Sequence, residues 1–235
     1  MTVTKELAAQ LRDAYASHSP EELLGALLSR FGSRIALASS PGLEDQVLTD
    51  MLMRIDRRAR IFTIDTGRLF PESYQLIDRT NMHYGIRMEV YFPAHTAVEQ
   101  YVAEHGINAF YDSVEKRRAC CHARKLEPLR RALQTVDVWI CGLRSQQSVT
   151  RTGIDVVEWH QTNHLIKVNP LARWSEEQVW EYIHSTNTPY NKLHRRGFPS
   201  IGCQPCTRAV AEGEDIRSGR WWWESPEHKE CGLHR

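Results

Sequence analysis

The sequence has no long apolar run: nothing in its 235 residues approaches the roughly 18 apolar positions that a membrane-spanning helix needs. Its first residues, MTVTKELAAQLRDAY, carry charges where a secretory leader would need an apolar stretch, so a cytoplasmic protein is expected. It also lacks an excess of either charge. Thirty basic against 29 acidic residues leave a net charge of +1, which provides no general affinity for nucleic acid or for a membrane surface. Internal repeats and low-complexity blocks are absent. Cysteine is sparse, at six residues, and in a cytosolic chain of this size metal ligation or redox chemistry explains them better than a disulfide framework. What is present, 41% hydrophobic residues, suits one globular domain or one domain with an appendage.

Apolar runs and helical stretches alternate. Residues 4–31 read as two short helices, the second started by Ser19-Pro20-Glu21-Glu22. RIALA at 34–38 ends in Ser39-Ser40-Pro41-Gly42. Leu43–Ile55 then reads as a helix with Val47, Leu48, Met51, Leu52 and Ile55 on one face. RIFTI at 60–64 closes on Asp65-Thr66-Gly67; 71–84 reads as helix, 87–91 as strand, 97–104 as helix, and VDVWIC at 136–141 runs into Gly142. This repetition implies an α/β fold with a doubly wound, mostly parallel sheet, whose ligands bind outside the carboxyl ends of the strands. Those ends are 39–42, 65–68 and 142–151, and the three loops are expected to converge on one site. After 170 the pattern changes. A helix capped by Ser175 spans 175–184, and the rest, rich in Gly, Pro, Arg and Trp, reads as irregular structure and a tail.

Cys203-Gln204-Pro205-Cys206 is a CxxC and Cys120-Cys121 an adjacent pair. A CxxC by itself fits a zinc site, a cluster site or a thioredoxin-like redox pair, although the flanks here lack the strand-to-helix setting of the last. Four thiolates suit tetrahedral zinc or an iron–sulfur cluster. Adjacent ligands strain to reach one small ion, whereas a cubane offers separate irons to neighbouring cysteines. The blander alternative, that Cys120 and Cys121 are small core residues, is opposed by the charges of Lys116-Arg117-Arg118 and His122-Ala123-Arg124-Lys125. Cys141 lies in an apolar run and reads as core. Cys231, beside Lys229 and between His228 and His234, has the cationic surroundings that stabilise a reactive thiolate.

Arg68, Arg144 and Arg151 fall at the strand ends, with Arg208, Arg217 and Arg220 later; guanidinium forks suit phosphate and sulfate oxygens. Ser39, Ser40 and Gly42 before a helix form a plausible anion-binding turn. Scattered arginines are more often a solvated face, and Trp221-Trp222-Trp223 reads as an aromatic anchor before it reads as a base-stacking surface.

These stretches together resemble the assimilatory adenylylsulfate (APS) reductases, of the PAPS reductase family. The resemblance is carried by SSPGLED at 39–45, TIDTGRLFPESY at 63–74, CCHARKLEPL at 120–129, ICGLRSQQSVTR at 140–151, PYNKLHRRGFPSIGCQPCTR at 189–208, GRWWWE at 219–224 and KECGLH at 229–234. It covers nearly the whole chain in the right order. It implies a PP-loop, adenine-nucleotide α-hydrolase-like fold, with residues 1–208 as a nucleotide-binding reductase domain and 209–235 as a flexible C-terminal tail. It implies a 4Fe-4S cluster on Cys120, Cys121, Cys203 and Cys206, with Lys125 between cluster and sulfate. Arg151, Arg217 and Arg220 match phosphate and sulfate ligands, and Ser39, Ser40 and Gly42 match the modified PP-loop. Asp65, Thr66, Gly67 and Arg68 match a second nucleotide-contacting loop, and Arg144 joins them at the rim. Cys231 matches the nucleophile. One departure is Pro41, where many relatives have a serine before the glycine.

The reaction so implied is reduction of adenosine 5'-phosphosulfate (APS) to sulfite and AMP through an S-sulfonate on Cys231, resolved by thioredoxin or a glutaredoxin-like dithiol. A homo-oligomer is left open. The nearest rival is a PAPS reductase with the same chemistry, which as a class keeps the ECG cysteine but lacks both cysteine pairs. A zinc-stabilised nucleotide-binding module and an ATP-using adenylating enzyme are further alternatives; the latter lacks the SGGxDS loop.

Overall fold

The computed structural model describes residues 2–145 and 153–225. Two compact units interleave along the chain, one of Met1–Thr63, Gln75–Glu89 and Leu133–Asn191, the other of Ile64–Tyr74, Val90–Ala132 and Lys192–Arg235. The units therefore do not divide at 208, and residues 209–225 of the expected tail belong to the second unit. Among the described residues no helix is long and apolar enough to cross a membrane.

The first unit is built on the sheet. The strands of the sheet are β1 (Ile35–Ala38), β2 (Arg60–Ile64), β3 (Glu89–Tyr91), β4 (Val138–Ile140), β5 (Val157–His160) and β6 (Leu165–Val168), in the order β3-β2-β1-β4-β6-β5, with Ile64 of β2 and Val90 and Tyr91 of β3 falling in the second unit. β1 runs parallel to both β2 and β4, placing Leu37 opposite Ile61 and Ile140. β6 is parallel to β4, and β5 returns antiparallel to β6. The doubly wound reading holds. The β5–β6 pair, with His160 and Leu165 opposite each other, was not anticipated: Lys167 and Glu158 interrupt the apolar signal and form an ion pair with each other at 2.8 Å.

The helices are α1 (Lys5–Tyr15), α2 (Pro20–Phe31), α3 (Leu43–Ile55), α4 (Pro71–Tyr84), α5 (His95–His105), α6 (Val114–Cys121), α7 (Glu127–Leu133) and α8 (Glu176–Thr186). Ser19 and Ser175 start α2 and α8 with reciprocal capping boxes, as their Ser-x-x-Glu/Gln spacing requires. Ile35, Leu37, Val138, Ile140, Ile166 and Val168 share one core with Leu23, Leu24 and Leu27 of α2, Leu48 and Leu52 of α3, and Val179 and Ile183 of α8. The central strands are buried along their length, as in a sheet covered on both faces.

α3 is buried almost throughout, so its polar residues need internal partners. Asp50, 2% exposed, accepts from Tyr84 Oη at 2.8 Å, Tyr182 Oη at 2.8 Å and Arg54 Nε at 2.5 Å. One carboxylate thus joins α3 to α4 and α8. Asp50→Ala is expected to lower unfolding free energy by about 3 kcal/mol, because the buried Tyr84 phenol and the half-buried Tyr182 phenol lose their acceptor; urea titration checks this, and a loss under about 1 kcal/mol would contradict it.

In the second unit, Ser113 caps α6, which passes through a π-helical turn at His122–Leu126 into α7. Cys120, Cys203, Cys206, Phe110, Tyr101 and Trp221 form its core. A smaller cluster joins Phe70, Leu193, Ile201 and Phe198.

Candidate active site

The expected site residues fall into two groups, one in each unit. In the first unit the order of strands reverses between β1 and β4, which is the switch point where doubly wound sheets open a crevice. The turn after β1 sits at this point. Ser39 is buried and its N–H donates to the Phe62 carbonyl at 2.7 Å. Gly42 is the N-cap of α3 and supplies no side chain to it, so the first N–H groups of that helix have no side-chain cap from Gly42. The turn is braced from within: Ser40 N–H donates to Asp45 Oδ2 at 2.8 Å, Gly42 N–H to Ser40 Oγ at 3.2 Å, and Gln46 Nε2 to the Ser40 carbonyl at 3.3 Å. Burial pushes the Asp45 carboxyl up to about 7, against the lowering effect of its bonds from Ser40 and Gly142. Arg144 sits beside the same turn, but its guanidinium is paired with Glu44, Nε to Oε1 at 2.7 Å, and is buried.

In the second unit the four paired cysteines come to one pocket, with Arg68, Phe110, Arg117, Arg124, Lys125, Pro205 and Trp221 completing its lining. The turn 65–68 holds this pocket together. Asp65 Oδ1 accepts from Gly67 N–H at 2.7 Å and Tyr74 Oη at 2.9 Å, while Gly67 takes a φ of +70° that favours glycine. Thr66 Oγ1 lies 3.2 Å from Cys203 Sγ, and the Thr66 carbonyl accepts from Arg124 at 2.8 Å. The Arg68 carbonyl accepts from Gln204 N–H at 2.8 Å, and its guanidinium reaches Asn108 and Ile107 over the Phe110 ring. Asp65, Thr66 and Arg68 are therefore braces of the cysteine pocket.

Cys120 and Cys121 are buried despite their charged flanks, contrary to the expectation from sequence. Arg118 and His122 turn outward, while Arg117 is buried and paired with Glu224 at 2.7 Å. That pair and the Arg117 guanidinium over the Trp221 ring at 4.7 Å bind α6 to the 221–224 segment, so Trp221 anchors the chain as its aromatic run suggested. Burial pushes the Cys206 thiol up to about 12, and that of Cys120 up as well. At Cys203 burial also acts upward, but Lys125, the Thr66 hydroxyl, Arg220 and Arg124 outweigh it and hold the thiol below its ordinary value. Among the described residues no group of three or more His, Cys, Asp or Glu is set to hold a single metal ion. Four thiols spread around one pocket, screened by aromatic rings and faced by cations, fit an iron–sulfur cluster.

Arg220 lies between the Gly202 backbone and Trp221; its guanidinium is 4.6 Å from the indole and 3.3 Å from Ser200 Oγ, and its buried Nε has no hydrogen-bond partner among the described residues. Arg217 stands in the same segment, its N–H on Asp215 at 2.8 Å. Arg151 and Cys231 lie outside the described residues. Sequence reasoning missed the parts played by Glu44 and Arg117, whose signal is an ion pair formed across distant stretches, and by Asp45, whose signal is a pair of bonds from backbone N–H groups. Arg124 could have been found, since it adjoins Lys125 in a run already singled out.

A doubly wound sheet with a glycine-started helix at its switch point defines an α/β protein of the class that opens a ligand crevice at that point. The chain belongs to the Phosphoadenosine phosphosulfate reductase domain family, which matches residues 34–209. It is 53% identical over 214 residues to the Adenosine 5'-phosphosulfate reductase of Allochromatium vinosum, covering 91% of this chain and 83% of that one. It is 48% identical to the protein of the same name from Burkholderia cepacia, covering 99% and 90%. Among solved structures, phosphoadenylyl-sulfate (PAPS) reductase from Candida auris, in a phosphate complex, superposes with a TM-score of 0.75 at 26% identity, covering 89% of this chain and 99% of that one. An FMN adenylyltransferase from Candida glabrata, at 14% identity and a TM-score of 0.55, shares the fold.

The Asp45 environment has a pH signature. A carboxyl raised from its model-peptide value to about 7 binds its proton more tightly folded than unfolded, so its contribution to stability is full at low pH and is lost as pH rises through about 7. Asp45→Asn, which cannot ionise, should gain on the wild type between about pH 4 and 7, the melting temperatures converging or crossing by on the order of a few °C. Parallel melting curves across that range would count against the buried carboxyl.

Proposed function

We propose that the chain reduces adenosine 5'-phosphosulfate to sulfite and AMP in sulfate assimilation. The observation that carries this reading is the pocket gathering Cys120, Cys121, Cys203 and Cys206 with Lys125 on its wall. The names of the relatives at 46–53% identity support the same reading. The four cysteines would hold a 4Fe-4S cluster, which when bound supplies a fixed charged wall and ties α6 to the 203–206 turn.

The chain's own residues carry the chemistry. The Cys231 thiolate attacks the sulfur of the substrate, an S–S bond forms, and the bond from sulfur to the bridging oxygen breaks with its electron pair leaving on AMP. Cationic groups stabilise the charge that moves onto phosphate and sulfonyl oxygens. Lys125, Arg151, Arg217 and Arg220 are proposed for this, Arg220 being supported by its buried Nε, which has no partner among the described residues. Ser39, Ser40 and Gly42 are proposed to receive the nucleotide at the start of α3, with Asp65–Arg68 shaping the second loop. A dithiol protein such as thioredoxin then attacks the Cys231 sulfur and expels sulfite with its electron pair. Its second thiol resolves the mixed disulfide, so the two electrons come from the dithiol. Residues 209–235 would present the nucleophile, whether or not they form a domain of their own.

Purified without oxygen, the protein should be brown, absorb broadly near roughly 400 nm and carry about four irons per chain. Each of Cys120→Ser and Cys203→Ser should lose most of that iron; a colourless wild type with stoichiometric zinc would overturn the cluster.

Cys231→Ser should lower sulfite release by at least about a thousandfold while iron content and AMP binding stay at wild-type levels. Near-normal turnover would end the nucleophile assignment. Rates with APS and with its 3'-phosphorylated form, measured side by side with thioredoxin, separate the proposed substrate from the alternative, since a preference for the phosphorylated form would make the chain a PAPS reductase.

A further inference from the structure

The end of β4 packs unusually close to the start of α3. A Cβ on Gly142 would overlap the Asp45 carboxylate and stand 2.9 Å from Glu44 Cβ. Asp45 accepts from Ser40 N–H at 2.8 Å on one side and from Gly142 N–H on the other. Next to it, Arg144 is 4% exposed and gives Nε to Glu44 at 2.7 Å and Nη1 to the Trp174 carbonyl at 3.4 Å. Two consecutive acidic residues on the first turn of α3 thus fasten the turn after β1 to the loop after β4.

We propose that Glu44, Asp45 and Arg144 are positioning residues that make the start of α3 fit to receive an anion, with Arg144 acting on Glu44 and not as a ligand of the substrate. This rests on the adenylyl-sulfate reading above. The physical problem is local. α3 begins at Gly42, so its first N–H groups and the positive end of its dipole are available to a phosphate. Its first turn also carries two carboxylates, each of which would repel a dianion in a partly desolvated crevice. Arg144 neutralises Glu44 through a buried pair. Asp45 spends its oxygens on the Ser40 and Gly142 N–H groups, which hold the turn open at the spacing set by the absent Cβ of Gly142.

A double-mutant cycle on the iron-loaded full chain tests this: Glu44→Gln, Arg144→Gln and the two combined, each assayed for the AMP dissociation constant by calorimetry, for kcat and KM with adenylyl sulfate, and for melting temperature. Arg144→Gln leaves Glu44 unpaired and should weaken AMP binding and raise KM by at least about tenfold, with kcat changed far less. The combined variant should recover most of that loss, because no uncompensated carboxylate remains. If Arg144 instead touches the ligand, the combined variant stays as weak as Arg144→Gln alone, and the proposal falls. It falls equally if Arg144→Gln binds AMP like the wild type. Should Arg144→Gln fail to fold, the combined variant decides alone: near wild-type affinity supports the clip, and a tenfold loss overturns it. A wild type that neither binds AMP nor turns over adenylyl sulfate would sink the functional reading itself, whereas tight wild-type binding with an additive cycle removes only the clip.

Discussion

The second unit depends on one turn. Asp65–Arg68 makes no core, yet its Thr66 hydroxyl meets Cys203, its Thr66 carbonyl takes Arg124 from the turn that follows Cys121, and its Arg68 carbonyl takes Gln204. Cys120-Cys121 and Cys203/Cys206 are far apart in sequence. They are registered through a third segment that contacts both. The constraint is geometric before it is chemical: thiols can share a cluster only if their backbones are held at fixed separation. Gly67 at φ +70° lets the turn fold tightly enough for Asp65 to accept the Gly67 N–H, and that bond presents Thr66 to both partners.

Desolvation supplies the second constraint. Buried thiols resist ionising, as the rise of Cys206 to about 12 shows, so a pocket of thiolates requires cations or metal nearby. The pocket carries Arg68, Arg117, Arg124 and Lys125, but these do different work. Arg117 is neutralised by Glu224 and serves to lock Trp221 and its neighbours onto α6. Arg68 is spent on Asn108 and Ile107. Lys125 and Arg124, together with Arg220, are the cations that pull Cys203 down against its burial. The π-helical turn at His122–Leu126 adds one residue to the helix just after the cysteine pair, and so changes which face Arg124 and Lys125 present.

The division of the sequence's legibility follows from these facts. β1, β2 and β4 with α3 were readable because their apolar periodicity is local, and α2 and α8 because Ser19 and Ser175 announce their own starts. The β5–β6 pair was not, since a buried Lys167 is tolerated only through Glu158 and Trp139, partners that no periodicity reveals. Among the site residues, the cysteine pairs stood out by spacing, and their meeting in one pocket is what spacing asks for. For Arg68 and Arg144 the sequence is ambiguous, because an arginine at a strand end carries the same letter whether it faces a phosphate or a protein acceptor, and the structure adds their protein partners, Asn108 and Ile107 for Arg68 and Glu44 for Arg144.

That ambiguity is general to basic loops at switch points. An arginine there contributes to anion binding in two ways, by touching the anion or by cancelling a carboxylate that would repel it. Only the identity of its nearest acceptor separates them. Glu44 and Asp45 stabilise α3 by sitting in its first turn, and the same position sets them against any phosphate drawn to that helix end. A cation that pairs with such a carboxylate offsets that repulsion. In this chain the buried, Glu44-paired guanidinium of Arg144 has the position and the charge to be that cation.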